Sequence, residues 1–343
     1  MPSSPSPSPA AGELAAPDPN LRFPAEDGLI VGDDGVVAPT LTQLVTWNAK
    51  GKVVATRALA DVGIDDITVQ AWDLRDAIFV VGGGREYSWA AAGFEPWTAK
   101  GLGKVEHASP RPSGSTTPRK KYRWPSDVTT NGSHIAASFV DGRVRVFEVT
   151  GRQVGEFQPI GLAADAGTKR LGVQYLPNDD LLVSGRDVEC PVQAWRSDGS
   201  ALVRQFDRGP TRPVHVTLSP DDAMLLVTTF DRKSGKMPWW AVDTSTFEER
   251  HRGELPTAAS AVALSPGGDL IAGAAGPNAA PPLQVTVVSI ADGSSHSFRR
   301  DGYVAQSMAF STDGKVLYTH NGYMGIIAWD ARSGKELRRF DMP

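Results

Sequence analysis

The chain has 343 residues, 41% of them hydrophobic, a formal net charge of −4 and a single cysteine. The net negative charge argues against a general nucleic-acid binder, which needs clustered excess Lys and Arg, and the lone Cys190 excludes an intrachain disulfide. No apolar run is long enough to predict a transmembrane helix. Because the first residues also lack the basic start and apolar core of a signal peptide, we expect a cytoplasmic protein without a membrane association.

Residues 1–20 form a Pro- and Ser-rich tail without apolar patterning. Such a segment has no side chains to bury in a core, so the sequence predicts that it is disordered and dispensable for folding. The abundance of Ala, Gly, Pro and Arg in the chain is weakly typical of a GC-rich bacterial genome.

From residue 21 onward, a unit of about 45 residues recurs, and each copy predicts four short strands joined by tight turns. One marker is a turn of Asn, Asp, Gly and Pro residues between the first two strands. Its copies are Asp27-Gly28, Leu74-Arg75-Asp76, Asn131-Gly132, Pro177-Asn178-Asp179, Pro220-Asp221-Asp222, Pro266-Gly267-Gly268 and Asp313-Gly314. A second marker is a bulky residue that ends the third strand: Trp47, Trp89, Phe147, Trp195, Val242, Val288 and Trp329.

Both markers count seven copies, which predicts an all-β fold over residues 21–343: a seven-bladed β-propeller of four-stranded antiparallel blades with little helix. The last copy holds four strands of its own, through Lys335–Met342. The segment Leu21–Ala25 is therefore predicted to be the innermost strand of the first blade, although Pro24 suits such a strand poorly.

The interval between Trp89 and Phe147 is long because of a basic insert at about 105–122. We expect residues 107–121 to be an exposed loop, since the insert carries several Arg and Lys residues and few apolar ones. Contact with an acidic partner or with phosphates is the alternative role.

The run Ala137–Phe147 and the Trp329-Asp330 pair resemble the end of a WD40 repeat, in which Ser/Thr-x-x-Asp-Gly-x-x-x-x-Trp-Asp closes two strands of a blade. The Gly-His pair that opens such repeats is absent, and Trp-Asp is kept in the seventh copy alone. The buried His–Ser–Asp–Trp hydrogen-bond relay of the family therefore cannot form in full. The resemblance implies a WD40-like propeller whose blade-to-blade loops bind partners.

Four turns after the second strand carry Asp or Asn, at Asp141, Asp187, Asp231 and Asn321. We expect these side chains to accept local backbone hydrogen bonds. A Ca²⁺ site aided by Asp33-Asp34 is the disfavoured alternative, because the oxygens lie on separate blades. Since side chains alternate along a strand, the preceding residues should face the common binding surface. These residues are Val140, Arg186, Phe230 and His320.

The same surface is predicted to include further Arg and aromatic residues, types that are enriched in interface hot spots. They are Arg85, Tyr87, Tyr122, Trp124, Arg232 and Tyr323. His320 and His215 are the histidines best placed for a role, but neither forms a metal-spaced pair. Cys190 lies near a turn without basic neighbours and is expected to be unreactive.

No nucleophile elbow, P-loop or dinucleotide fingerprint occurs, so we expect no cofactor and no metal. The sequence favours an interaction platform that binds protein partners on the face of the blade-to-blade loops. An enzyme or small-ligand binder with a site at the mouth of the central channel is the alternative. Neither a partner nor a substrate follows from these residues.

Overall fold

The computed structural model describes most of the chain from residue 29 onward. The described residues are 29–32, 35–39, 43–58, 78–83, 88–94, 101–108, 125–131, 133–139, 141–148, 152–162, 170–186, 188–207, 209–210, 212–256, 258–275, 283–301, 305–321 and 325–341. For 78–108 the description covers backbone pairing alone. The predicted tail, residues 1–20, lies outside the described residues, as does most of the predicted insert.

The described elements are β-strands apart from a short 3₁₀ turn at Pro266–Gly268, which confirms the all-β prediction. The strands form six four-stranded antiparallel sheets and one three-stranded sheet, each built from consecutive strands. Sheet 1 contains β1 to β4 (Ile30–Gly32, Gly35–Pro39, Gln43–Asn48, Val53–Ala58), and sheet 2 contains β5 to β7 (Ile78–Gly83, Ser88–Phe94, Gly101–Ala108). Sheet 3 contains β8 to β11 (Pro125–Thr130, His134–Phe139, Val144–Glu148, Gln153–Phe157), and sheet 4 contains β12 to β15 (Arg170–Tyr175, Leu181–Arg186, Gln193–Trp195, Leu202–Gln205).

The remaining three sheets follow the same plan. Sheet 5 contains β16 to β19 (His215–Leu218, Met224–Thr228, Met237–Asp243, Glu249–Leu255). Sheet 6 contains β20 to β23 (Ala259–Leu264, Leu270–Ala275, Leu283–Ser289, Ser295–Arg300), and sheet 7 contains β24 to β27 (Ser307–Phe310, Val316–Asn321, Gly325–Asp330, Glu336–Phe340). Among the described residues, no helix has the length and apolar character needed to cross a membrane.

The hydrophobic core lies between neighbouring sheets. Separate clusters of buried apolar residues join sheets 3 and 4, 4 and 5, 5 and 6, and 6 and 7. A fifth cluster joins the first and last sheets, and it includes Val45 and Trp47 from sheet 1 with Ile326 and Phe340 from sheet 7. The first strands of sheets 3 and 4, 5 and 6, and 6 and 7 contact each other, as do those of sheets 7 and 1. The sheets are thus arranged side by side about their first strands, as propeller blades are.

The bulky markers occupy the third strands as predicted, and a β-bulge accompanies most of them. In sheets 1, 3, 4, 5 and 7 the pairing of the third and fourth strands shifts immediately before the marker, for instance between Thr46 and Trp47 and between Ala328 and Trp329. The Trp329 indole also donates a hydrogen bond of 2.9 Å to Thr319 Oγ1. Because a bulge disrupts the free edge of an outer strand, it protects the sheets that carry one from pairing with another chain.

Two strand assignments predicted from the sequence are wrong. The first strand of sheet 1 is Ile30–Gly32, and it pairs with β2 through Gly32 opposite Gly35. Asp27-Gly28 therefore precedes the first strand and does not lie between the first two strands. The bulge in sheet 2 precedes Phe94, so Phe94 is the marker, whereas Trp89 lies near the start of that strand. The predicted insert also begins too early, because residues 105–108 belong to β7.

Polar side chains pair with backbone groups on the inner edge of the neighbouring sheet. The Ser138 hydroxyl donates to the Leu171 carbonyl at 2.7 Å, and the Tyr175 amide donates to Thr129 Oγ1 at 3.1 Å. All four residues are buried or lie on buried strands. β12 is the edge strand of sheet 4, so backbone groups on its outer side have no strand of the same sheet to pair with. The bonds from sheet 3 satisfy two of these buried groups, the Leu171 carbonyl and the Tyr175 amide, and so remove the cost of burying them unpaired.

Candidate interaction surface

The strand order determines which loops share one end of the sheets. Because neighbouring strands are antiparallel, the loops after the second and fourth strands lie at one end, here called the loop end. The tight turns after the first and third strands lie at the opposite end, here called the turn end. Arg186 ends β13, and Phe230 and Arg232 follow β17, so these predicted residues lie at the loop end of sheets 4 and 5.

Arg186 is held by an ion pair with Asp127 of sheet 3. The guanidinium lies 3.1 Å from Asp127 Oδ2, which also accepts the Val173 amide at 2.9 Å. The Asp127 side chain is 7% exposed and that of Arg186 is 23% exposed. A buried carboxylate needs such a partner, because an uncompensated charge is costly away from water. Arg186 therefore supports the junction of sheets 3 and 4, with only part of its side chain open to a ligand.

A recess of about 30 Å³ lies beside this ion pair. Its polar walls include Asp127, Thr129, Gln174, Ser184 and Arg186. A recess of this size and polarity suits ordered water.

Phe230 is presented on a turn that is stiffened by its own hydrogen bonds. Its side chain is 38% exposed, which is unusual for a large apolar residue in this protein. Asp231 Oδ1 accepts the Lys233 amide at 2.9 Å, and Asp231 Oδ2 accepts the Ser234 hydroxyl at 2.7 Å. The Ser234 bond, followed by the Lys233 amide, holds the pKa of Asp231 below its ordinary value. The predicted capping role of the turn Asp is confirmed here.

The charge on this turn is positive and only partly compensated. Lys236 Nζ pairs with Glu254 at 2.6 Å, with both side chains about half exposed. Arg232 and Lys233 are exposed and form no ion pair with a side chain in the described part of the chain. The Asp231 carboxylate attracts Lys233. An exposed aromatic residue is thus followed by one carboxylate and two exposed cations.

Ile160 supplies a second exposed apolar side chain at the loop end, in the connection from sheet 3 to sheet 4. It is 53% exposed, yet its backbone is fixed by the buried Gln193 side chain. Gln193 Nε2 donates to the Ile160 carbonyl at 2.7 Å, and Gln193 Oε1 accepts the Ile160 amide at 3.2 Å. The Trp195 indole donates to the same Oε1 at 3.1 Å. Sequence reasoning missed Ile160, because one apolar residue in a loop produces no pattern.

His320 does not lie on the exposed face where the sequence pattern places it. It is 5% exposed and lies opposite Ser307, the first residue of β24. In sheet 5 the residue opposite the first residue of β16 is Thr228, so His320 corresponds to Thr228 and not to Phe230. The prediction rested on Asn321 as a turn residue, whereas Asn321 is the last residue of β25. His320 Nδ1 lies 3.3 Å from Ser307 Oγ, and burial lowers the pKa of the imidazole to about 4. His320 is therefore a neutral, buried residue near pH 7.

Three other candidate residues, His215, Cys190 and Asp141, have surroundings that fit a role in the fold. His215 is 6% exposed, with Nε2 3.1 Å from the Ala259 carbonyl of the next sheet. Burial raises the pKa of Cys190 to about 12, which fits the predicted lack of thiol reactivity. Asp141 accepts the Arg143 amide at 3.0 Å, as predicted for a turn Asp. No group of three His, Cys, Asp or Glu residues suited to a metal occurs in the described ranges.

The other predicted surface residues cannot be placed in the same way. Arg85, Tyr87, Tyr122, Trp124, Val140, Asp187 and Tyr323 lie outside the described residues. Of the predicted site, the structure brings Arg186, Phe230 and Arg232 to one end of adjacent sheets and removes His320 from it.

Comparison with known proteins supports the fold. No protein-family model matches the chain, and no curated protein matches it significantly. Solved structures do match it. One chain of the structure "Crystal Structure of Mitotic Checkpoint Complex" is 14% identical, with a TM-score of 0.59, and the match covers 92% of this protein and 96% of that chain. At this identity the likeness shows the fold alone, and together with the sheet architecture it fits a WD40-like β-propeller.

Proposed function

We propose that this protein is an interaction platform, a closed seven-bladed WD40-like propeller that binds a protein partner at the loop end of sheets 4 and 5. The observation that carries the proposal is Phe230, 38% exposed on a stiff turn beside the exposed cations Arg232 and Lys233. The cytoplasmic location expected from the sequence belongs to the same proposal.

Ring closure is supported by the packing of the first and last sheets. The Trp47 indole donates a hydrogen bond of 3.1 Å to the Asp341 carbonyl, and both sheets contribute to one buried cluster. Sheet 2 has three described strands, and the position of its bulge supports their assignment as the second to fourth strands of a blade. Seven blades then follow if the first strand of sheet 2 lies in the segment before Ile78.

The chemistry of the surface suits a protein partner. An exposed aromatic residue and an Arg combine a large contact area with directional polar groups, and such residues dominate interface energies. The turn is already ordered by Asp231, so binding costs little conformational entropy there. The similar chain belongs to a structure of a checkpoint complex, which is in keeping with a binding role.

The test begins with identification of the partner by crosslinking. A photoreactive phenylalanine analogue is placed at Phe230, and the same analogue at Val154, an apolar residue of the outer strand that is 36% exposed, serves as the control. A partner should crosslink from position 230 and not from position 154. The purified partner is then titrated with the parent and with F230A and R232E.

We expect F230A to weaken binding by roughly 30-fold, as the loss of a hot spot does, while stability changes by about 0.5 kcal/mol or less. The matched controls are V154A and R299E, on the outer strands of sheets 3 and 6. If F230A binds as tightly as V154A does, the loop end of sheets 4 and 5 is not the interface and the proposal fails.

A further inference from the structure

A second surface lies at the turn end of the first and last sheets, on the far side of the molecule from the loop end. The segments 48–58 and 330–341 carry seven Lys and Arg residues and three Asp and Glu residues, a net charge of +4. The whole chain has a net charge of −4. Positive charge is therefore concentrated in two segments separated by most of the sequence.

The fold brings these two segments together. A Cβ added at Gly51 would lie 3.1 Å from Arg338 Cδ and 3.3 Å from the Arg339 carbonyl, so the turn of sheet 1 touches the outer strand of sheet 7. Asn48 Oδ1 accepts the backbone amides of Lys50 and Lys52, each at 3.0 Å. This bonding fixes the turn that carries both lysines beside Arg338.

The three cations at this junction lack compensating charge. Lys50, Lys52 and Arg338 are exposed and form no ion pair within the described part of the chain. Glu336, the acidic residue of β27, is already paired with Arg300 and Arg339. Since like charges held together repel each other, the surface favours a negatively charged ligand.

Two exposed apolar side chains accompany the cations. Val54 is 52% exposed and Leu337 is 50% exposed, and they are among the five large apolar residues with exposed side chains in the described part of the chain. Each is the bulged residue of its outer strand, opposite Trp47 in sheet 1 and opposite Trp329 in sheet 7. They therefore occupy equivalent positions on two sheets that pack against each other.

We propose that Lys50, Lys52, Val54, Leu337 and Arg338, here called the basic rim, bind an acidic peptide segment that carries apolar side chains. The acidic groups pair with the open cations, and the apolar groups cover Val54 and Leu337. Nucleic acid and anionic lipid would use the charge in the same way. A peptide is favoured over these two ligands because it can carry acidic and apolar side chains on neighbouring residues. The basic rim is separate from the surface around Phe230, so each proposal can fail without the other.

The experiment measures fluorescence anisotropy with a labelled peptide in which Asp and Glu alternate with Leu and Phe. The comparison probes are the same peptide with Asn and Gln in place of the acids, a polyglutamate peptide, a DNA duplex, and phosphatidylcholine vesicles containing phosphatidylserine. We expect the acidic, apolar peptide to bind the full chain most tightly. Its affinity should fall as salt is added, because salt screens exposed charges over about 10 Å at 0.1 M.

Variants decide whether binding occurs at the basic rim. The double variant K50E/K52E should bind the acidic, apolar peptide about tenfold more weakly, since two exposed attractions become repulsions. The control R196E/R204E makes the same change in net charge on sheet 4, where both arginines are exposed, and should leave binding within about twofold. The variant V54S/L337S should reduce the affinity to that of polyglutamate.

The proposal is overturned by any of three results. Equal weakening by K50E/K52E and R196E/R204E would show a general effect of net charge. Tighter binding of the DNA or the vesicles than of the peptide would assign the surface to another class of partner. An unchanged peptide affinity in V54S/L337S would show that the apolar residues take no part. Unfolding curves of each variant confirm that the compared proteins are folded.

Discussion

Arg186 lies at the loop end, but its guanidinium forms an ion pair with Asp127. A substitution of Arg186 therefore affects stability. Asp127 is 7% exposed at its side chain and accepts bonds from both Arg186 and the Val173 amide. Phe230, by contrast, leaves 38% of its surface open and has neighbours that are exposed. The two residues are neighbours in the predicted site, yet one supports the fold while the other is available to a partner.

We predict that R186E destabilises the protein by about 2–4 kcal/mol. The change removes one ionic partner of a buried carboxylate and places a second carboxylate beside it, and breaking a buried pair generally costs about 3–5 kcal/mol. We expect the lower part of that range because the Arg186 side chain is 23% exposed. Urea unfolding measures the change, with R204E as an exposed control that should alter stability by less than about 0.5 kcal/mol. Similar stabilities for R186E and R204E would contradict the assignment of Arg186 to the sheet junction.

His320 should make stability depend on pH. Burial lowers its pKa from 6.5 to about 4, so below pH 6.5 the unfolded chain takes up a proton that the folded protein does not. The contribution of the neutral imidazole is therefore present above pH 6.5 and is lost as the pH falls towards 4, by up to about 3 kcal/mol.

The pH prediction is checked by urea unfolding of the parent and of H320Q across this range. Asp and Glu titrate in both proteins, so the difference between the two curves isolates the histidine. We expect H320Q to lose less stability than the parent between pH 7 and about pH 4. Parallel curves for the two proteins would rule out His320 as the cause.

At the scale of strands and turns, the third-strand positions follow from the sequence in six of seven sheets. A bulky residue at the end of that strand fills the space between blades, so Trp47, Phe147, Trp195 and Trp329 are conspicuous among short polar turns. Asp27-Gly28 failed as a marker because its residues suit a hairpin turn whether or not strands flank it. The position of the first hairpin follows only from the pairing of Ile30 with Val37, which the composition of the turn does not encode.

The loop-end surface was predictable only in part, for a similar reason. Phe230 was found because it precedes a turn Asp that caps its own turn, a local interaction. The error at His320 came from aligning Asn321 with that Asp, when the true register pairs His320 with Ser307. Ile160 depends on Gln193, a residue 33 positions away, and no local pattern encodes that contact.

For the whole molecule, both surfaces depend on the order of the sheets. The loop-end surface needs sheets 4 and 5 side by side, which the buried cluster between them provides. The basic rim needs the two ends of the chain to meet, because Lys50 and Arg338 come from the first and last sheets. Opening the junction of these sheets should therefore abolish the rim and leave the surface around Phe230 in place.

The contact between the first and last sheets gives the final prediction. Trp47 and Phe340 share one buried cluster, and the Trp47 indole bonds to the Asp341 carbonyl beside Phe340. Substitutions in contact are not additive, with coupling energies of roughly 0.5–3 kcal/mol. In a double-mutant cycle, W47F and F340L should therefore show coupling of at least about 0.5 kcal/mol by urea unfolding. W47F combined with F206L, in the core between sheets 4 and 5, should be additive within about 0.5 kcal/mol. Additivity in both cycles would mean that the two ends of the chain do not form a common core in solution, and neither a closed ring nor the basic rim would then hold.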